Sequence, residues 1–554
     1  MSEPNLTFWP QRLPRHLELP ETSLWFNLEV SATRFPDKTA IVFYDSKLSY
    51  AQLRRSAEYL AGYLQKECGV QRGDRVALLL HNSPQSVIAY YAIVRADAMV
   101  VPISSMSTAA ELEHIITDCG ARVLVISQDL LQRAQALPSG LQQVIVACYS
   151  DYLSTATDLA IPEWVAAVRQ DLTEPRQRKW ADVLSMQLQP RPHLATQDDY
   201  CVMPYTSGTT GMPKGCIQRH RNVMHTTVAL ARWHEKQAEE CVLSVLPFFH
   251  VTGMQTGMNM PVYLGATFVI LPRWDREVAA KLIARHRVTG WTIVPTILID
   301  LLSSPDLDRY DLSSLRSLGG GGAAMPEAIA RKLQQMCGLT YIEGYGLSET
   351  MAPTHINPPD RPKPQCLGLP IFDTDSRVID PLTLDQLPAG ATGEIITRGP
   401  QVFDGYWRQS AASAEAFVTV DGQRFFRTGD LGYVDEEGYF FYVDRLKRMI
   451  NAAGFKVWPA EVEAKLYAHP AVQEAVIISA PDNRRGETVK AVVVLRPQAR
   501  ATVTADQLTE WSREHMAAYK VPRLWEFVDA LPKSASGKVQ WRLLQEQEQQ
   551  RSTK

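Results

Sequence analysis

Eleven residues concentrate chemistry: Tyr205-Thr206-Ser207-Gly208-Thr209-Thr210-Gly211-Met212-Pro213-Lys214-Gly215. They hold four Ser/Thr hydroxyls, three glycines and a lysine. Glycine lets the backbone curl until successive N–H groups face one anion, and the hydroxyls add donors, so such a nest binds phosphate. Lys214 adds a point charge. The pattern is not a Walker A loop, because Lys214 follows Pro213 and precedes Gly215 rather than Ser or Thr. A flexible linker shares this composition, but linkers rarely sit between apolar runs with a Pro-Lys at the end.

Further along, Glu343-Gly344-Tyr345-Gly346-Leu347-Ser348-Glu349-Thr350 sets an aromatic ring between two glycines, where it can stack on a flat base. Beside a phosphate loop, Glu349 offers a carboxylate to a hard cation, and Mg²⁺ takes one or two carboxylates together with substrate phosphate. Thr350 adds a hydroxyl. Four consecutive glycines, Gly319 to Gly322, are expected at the end of a strand before Ala323, where backbone can approach a flat ring closely. Pro247-Phe248-Phe249-His250 reads as an aromatic gate beside an acid's carboxylate, or as a satisfied histidine at a strand end. Thr428-Gly429-Asp430 alone is an ordinary turn carboxylate. Asp444 to Arg448 is a charged run, and Pro532-Lys533-Ser534-Ala535-Ser536-Gly537-Lys538 a lysine-tipped loop.

Taken in order, these motifs resemble the adenylate-forming superfamily of acyl-CoA synthetases, luciferases and peptide-synthetase adenylation domains. The resemblance covers nearly the whole chain. It implies that ATP, Mg²⁺ and coenzyme A are used to convert a carboxylic acid to acyl-AMP and then acyl-CoA. It further implies that Lys538, Glu349, His250 and Thr206 are catalytic, with Glu349 and Thr206 on the metal. ATP or AMP would meet Thr206, Ser207, Gly208, Thr209, Thr210, Gly211, Lys214, Gly321, Gly322, Ala323, Gly344, Tyr345, Gly346, Thr350, Asp430, Arg445 and Lys538. The acyl pocket would be lined by His250, Gly253, Met254, Thr256, Gly257, Met258, Gly320, Gly321, Met351 and Ala352. Ala453, Gly454 and Phe455 would border the coenzyme A channel, and Lys447 would be the hinge. Trp541 departs from the pattern, standing where many relatives carry a basic residue. The pocket set is apolar, with small residues and adaptable methionines and no cation for a second carboxylate. A medium- or long-chain fatty acid is therefore expected, with an aryl acid of the cinnamate or benzoate type as the alternative. Transfer to a carrier protein or to oxygen, and a catalytically inactive nucleotide-binding module, are the rival classes. With no carrier domain after Lys538, a peptide synthetase is not expected.

The elements that must position these groups are legible. Ser49 can cap a helix whose Leu53, Ala57, Leu60, Ala61 and Leu64 keep a 3.6-residue period. Strands at 75–80, 99–103 and 123–126 alternate with helices at 84–96 and 109–118, which predicts a parallel, doubly wound α/β sheet. Residues 128–196 read as an irregular surface excursion. Strands then recur at 200–205, 243–246, 266–271, 291–294 and 339–342. From 368 to about 443 short strands and turns predict a β-rich subdomain. After Lys447 a small mobile α+β domain is expected, giving domains 1–446 and 447–554, a plausible division for 554 residues.

Net charge is −3, so nothing draws the chain toward nucleic acid. Eight scattered cysteines without metal spacing read as reduced thiols of a cytoplasmic protein. No signal peptide or transmembrane segment is visible. A homodimer is compatible with the sequence.

Overall fold

The computed structural model describes residues 8–134, 140–206, 212–452, 455–482, 486–500, 502–533 and 539–552. The chain divides into two compact units. One holds residues 1–376, 397–426 and 437–439; the other holds 377–396, 427–436 and 440–554.

The larger unit is built on two nine-stranded sheets. In the first, Thr39–Phe43, Thr267–Ile270, Cys241–Ser244, Gly290–Ile293, Ser317–Gly321 and Tyr341–Leu347 run parallel as neighbours. Ala352–Ile356 turns back antiparallel against the last of these. In the second sheet Met99–Pro102, Arg75–Leu79, Val123–Ser127 and Gln143–Ala147 are parallel neighbours. Parallel strands need crossovers, and helices supply them. The Tyr50–Lys66 helix starts on Ser49 as expected, through a capping box with Gln52, and Leu53, Ala57, Leu60, Ala61 and Leu64 are all buried. Pro84–Arg95 starts on a second capping box, Ser83 with Ser86. The α/β expectation holds.

One expectation about local structure needs correcting. The 128–196 stretch is not merely an excursion, because Gln143–Ala147 pairs in the second sheet and buries Val144, Ile145 and Val146. The glycines stand at a strand's end as expected: Gly319, Gly320 and Gly321 are the last residues of Ser317–Gly321, paired to Ile342, Glu343 and Gly344. A Cβ on Gly320 would overlap the Ile293 carbonyl oxygen and stand 2.6 Å from the Tyr341 hydroxyl. The close fit of these strands therefore demands glycine there.

Between 375 and 445 the chain is strand-rich, with Asp375–Ile379, Gly393–Arg398, Phe417–Val420, Gln423–Val434 and Phe440–Arg445. In the smaller unit, Val472–Asp482 and Gly486–Leu495 form a long antiparallel pair, joined by Ile450–Ala452 and Leu524–Phe527. Alternation splits this sheet's faces. Ala475, Ile477, Ala491 and Val493 face one apolar cluster; Val476, Ile478, Val492 and Val494 face another, with Trp541 against it. All eight cysteines are free thiols. Among the described residues no helix is long and apolar enough to cross a membrane.

Candidate active site

Residues 207–211, Ala453, Gly454 and Lys538 lie outside the described residues, as does the side chain of Phe455. Thus Ser207, Gly208, Thr209, Thr210 and Gly211 are not placed, but the stem that carries them is. Tyr205–Thr206 pairs antiparallel with the start of Lys214–Arg219, Thr206 opposite Lys214. Tyr205 donates to Asp118 Oδ2 at 2.6 Å, and the Pro213 carbonyl lies 3.0 Å from His114 Nε2. Both arms of the hairpin are thereby tied to the Ala109–Cys119 helix.

Glu349 sits in a one-turn helix, Ser348–Thr350, and is 8% exposed. The turn is held from inside by Thr350, whose Oγ1 accepts the Leu347 N–H at 3.0 Å and lies 2.9 Å from the Ala352 carbonyl. Gln218, on the strand that begins at Lys214, donates to the Ser348 carbonyl at 3.0 Å. Tyr406 donates to Glu349 Oε1 at 2.9 Å, and the Lys214 ammonium lies 5.4 Å from the centre of the same ring. So Lys214, Glu349, Thr350 and the stem of the glycine loop meet in one place. Met351 and Ala352 follow with φ of 49° and 73°. Two consecutive side-chain-bearing residues in the left-handed region are costly, and such strain gathers at functional sites.

Tyr345 lies opposite His355 in the ladder, with ring centres 5.6 Å apart. His355 is fully buried, and burial lowers its pKa to about 3, so it stays neutral. Gly346 is exposed, and so are Gly322, at φ 88°, and Ala323. Gly344 has ordinary clearance for a Cβ, whereas one on Gly321 or Gly346 would overlap a neighbouring carbonyl.

His250 opens a helical segment, Val251–Met254, which continues as a π-turn, Gln255–Asn259. π-Turns inside helices are frequent at functional sites. His250 Nδ1 accepts the Thr252 N–H at 3.3 Å, which in the neutral ring leaves the proton on Nε2. Gly253, Met254, Thr256, Gly257 and Met258 follow on the same segment, all buried, as are Met351 and Ala352. Gly257 faces Phe248, whose Cε1 would be 3.1 Å from an added Cβ.

In the smaller unit Asp430 and Arg445 are partners in register, with Arg445 Nε 2.6 Å from Asp430 Oδ1. Lys447 stands in the Leu446–Arg448 turn. Asp444 accepts the N–H groups of Arg445 and Ala460, at 2.7 and 2.6 Å, and so caps the Pro459–Tyr467 helix. Trp541 packs its ring against the Arg448 guanidinium, 5.4 Å from its centre.

Sequence reasoning missed Tyr406, Glu343 and Asn82. Glu343 lies within a buried strand; burial lifts its pKa to about 7, and the N–H groups of Met325 and Gln365 pull the other way. Its signal was a lone charge among Tyr341, Ile342 and Gly344. Asn82 donates to the Leu246 carbonyl and accepts the Phe248 N–H, both at 2.8 Å, holding the segment that leads to His250.

Residues 28–407 match the family described as AMP-binding enzyme, and 461–538 match the AMP-binding enzyme C-terminal domain. The chain belongs to the AMP-binding enzyme family. A long-chain-fatty-acid–CoA ligase of Bacillus subtilis (strain 168) is 38% identical, over 99% of this chain and 98% of that protein. A feruloyl-CoA synthase of an Amycolatopsis species is 34% identical over 91% and 94%. Among solved structures, ATP-bound MatB from Rhodopseudomonas palustris superposes with a TM-score of 0.83 at 29% identity, covering 95% of this chain and 99% of that one. The family thus matches in sequence and fold along nearly the whole length.

Proposed function

We propose that this AMP-binding enzyme is an acid–thiol ligase that activates a long-chain fatty acid as acyl-AMP and then transfers the acyl group to coenzyme A. The likeness to a long-chain-fatty-acid–CoA ligase over 99% of the chain carries this reading. The apolar, buried segment after His250 supports it, since no charged residue occurs from Val251 to Leu264.

A free carboxylate repels nucleophiles and has oxide as its leaving group. In the first step its oxygen attacks the α-phosphorus of ATP, the bond to the bridging oxygen breaks, and pyrophosphate leaves. In the second the coenzyme A thiolate attacks the acyl carbon and AMP leaves. The protein's share is positioning and charge stabilisation. Thr206, Ser207, Gly208, Thr209, Thr210 and Gly211 donate to the phosphates, and Lys214 adds charge. Glu349 and Thr206 offer the oxygen donors that Mg²⁺ takes, an ion that commonly uses one or two protein carboxylates and keeps its other places for phosphate and water. Bound there, Mg²⁺ would neutralise phosphoryl charge. His250 presents its Nε2 proton to the acid. Tyr345, Gly321, Gly322, Ala323, Gly344, Gly346 and Thr350 border the adenine, and Asp430 with Arg445 takes the ribose. Lys538 supplies positive charge to adenylation, Lys447 is the hinge between half-reactions, and Ala453, Gly454 and Phe455 border the thiol's channel. Residues 1–446 and 447–554 serve as the two functional domains. Free thiols fit a cytoplasmic setting.

The deciding experiment is coenzyme A-dependent AMP release across medium- and long-chain fatty acids and aryl acids. Long-chain acids should give the highest kcat/KM. A preference for aryl acids would replace the substrate, a reading that the feruloyl-CoA synthase relative keeps open. Acyl-AMP that accumulates without thioester would replace the acceptor. Lys538→Ala should slow pyrophosphate exchange by about 10²–10³, and Lys447→Pro should impair thioester formation more than adenylation.

A further inference from the structure

We infer that Tyr406 is a positioning residue that aims the Glu349 carboxylate. The inference rests on the reading of Glu349 as the cation's carboxylate, and it assigns a role to a residue outside every motif considered above.

Tyr406 is itself fixed from several sides. Its backbone pairs with Cys216, two residues past Lys214. Its N–H is taken by Ser413 Oγ at 2.9 Å. The Phe403 ring meets its ring edge-on, with centres 4.9 Å apart. The next residue, Trp407, donates its N–H to the Gly215 carbonyl at 2.8 Å. A phenol held this way does not follow a moving carboxylate; the carboxylate must come to it. The same loop also pins the backbone of Glu349, because Phe403 donates its N–H to the Glu349 carbonyl at 2.8 Å. Main chain and side chain of Glu349 are thus both referenced to residues 403–406.

The choice of tyrosine is chemically informative. A lysine or arginine at this place would orient the carboxylate but cancel its charge and compete with a divalent ion. A phenol donates one hydrogen bond, and hydrogen bonds to an ionised acceptor are the strong ones, yet the carboxylate keeps its full charge. The ring face meanwhile receives the Lys214 ammonium. One neutral side chain therefore touches a cation on its ring and an anion at its hydroxyl.

The test is a double-mutant cycle read by binding of Mn²⁺·ATP, followed by the electron paramagnetic resonance of free Mn²⁺, and in parallel by pyrophosphate exchange. Tyr406→Phe keeps the ring, the Lys214 contact and the ladder, and removes only the hydroxyl. Its Mn²⁺·ATP affinity should fall about tenfold, as on loss of groups that orient a metal ligand, while the fold without nucleotide, read by circular dichroism and a single cooperative unfolding transition, is retained. In a Glu349→Gln background the same change should cost no more than about twofold, because partners in one network are not additive. Full additivity, or unchanged affinity in Tyr406→Phe, overturns the inference. If Glu349→Gln itself binds Mn²⁺·ATP normally, the cation reading falls first, and the two failures are distinct. Should Tyr406→Phe not fold, Tyr406→His, which can still donate from a ring N–H, must bind the probe more tightly than Tyr406→Leu. Equal affinities in that pair would also overturn it.

Discussion

The two sheets of the larger unit share a parallel architecture but end differently. At the carboxyl ends of the second sheet's parallel strands, several neutral polar groups pair with one another. Ser83 and Ser86 close their own capping box. The His81 N–H goes to the Tyr149 hydroxyl, and Gln85 Nε2 donates to the Cys148 carbonyl. The first sheet ends in a buried carboxylate at Glu343, a second at Glu349, a glycine strand and two strained residues, Met351 and Ala352. Ligands in open parallel sheets bind beyond the carboxyl ends of the strands, but topology gave both sheets that option. What separates them is the chemistry placed there: neutral hydrogen-bonding groups at the ends of the second sheet's parallel strands, buried carboxylates at the ends of the first. In the second sheet the strands Arg75–Leu79, Val123–Ser127 and Gln143–Ala147 are scaffold, while its Tyr205–Thr206, Lys214–Arg219 and Gly405–Tyr406 strands carry part of the candidate site. Asn82, after Arg75–Leu79, reaches across to hold Leu246 and Phe248 of the first sheet.

The largest expected effect breaks this symmetry directly. Glu349→Ala should lower pyrophosphate exchange by about 10²–10³, the cost of losing a preorganised charge-stabilising group. His81→Ala, at the corresponding edge of the second sheet, should change it by less than about threefold, as for a residue outside the chemistry. Comparable losses in the two variants would erase the distinction between site and scaffold.

Glu343 gives the next effect, in stability. Its folded pKa is raised by burial from an ordinary 4.5 to about 7. The folded state therefore holds its proton more tightly than the unfolded state. The stability this confers is fully present below about pH 4.5 and is lost as pH rises through about 7, on the order of 3 kcal/mol in all. Glu343→Gln cannot titrate. Its stability relative to the parent should rise between pH 5 and pH 8, as read from denaturant midpoints at each pH. A constant difference across that range would mean that the carboxyl titrates normally.

How much of this was legible in the sequence depends on how far each residue's partner lies along the chain. The Ser49 cap and its helix were readable because cap and apolar stripe are local. The Tyr205–Gly215 stretch and the Glu343–Thr350 motif stood out because their residue types and order are unusual together. The strand at Gln143–Ala147 was missed although Val144, Ile145 and Val146 form an apolar run, because a stretch of Gln, Pro and Ser surrounds it. The placement of Gly319 to Gly321 at a strand's end was readable, but the reason for glycine there was not, because only the closeness of Ile293 and Tyr341 explains it. Tyr406 gave no signal, since its hydroxyl's partner is 57 residues away.

Asn82→Ala tests whether scaffold and site are coupled. It removes two hydrogen bonds and leaves the Leu246 carbonyl and the Phe248 N–H without them, at a cost of about 1–3 kcal/mol. The KM for the acid should rise more than the KM for ATP, because Leu246 and Phe248 precede His250 and not the glycine loop.

The smallest effect sharpens the comparison most. An added Cβ at Gly257 would lie 3.1 Å from Phe248 Cε1 and 3.2 Å from Ser244 Oγ, so the neighbours must yield by a few tenths of an ångström. Ser244 belongs to a strand and donates to the Gly257 carbonyl at 2.8 Å, so it has little freedom. The Phe248 ring is the part that can turn, but its backbone is held by Asn82. Gly257→Ala should therefore cost less than about 1.5 kcal/mol and shift the preferred acyl chain length by only a few fold in kcat/KM, with KM for ATP unchanged. In an Asn82→Ala background Phe248 is released and can yield as a whole, so the same substitution should shift chain-length preference less. A shift of the same size in both backgrounds would show that the second sheet's grip on Phe248 does not reach the acid, and that the two sheets act independently after all.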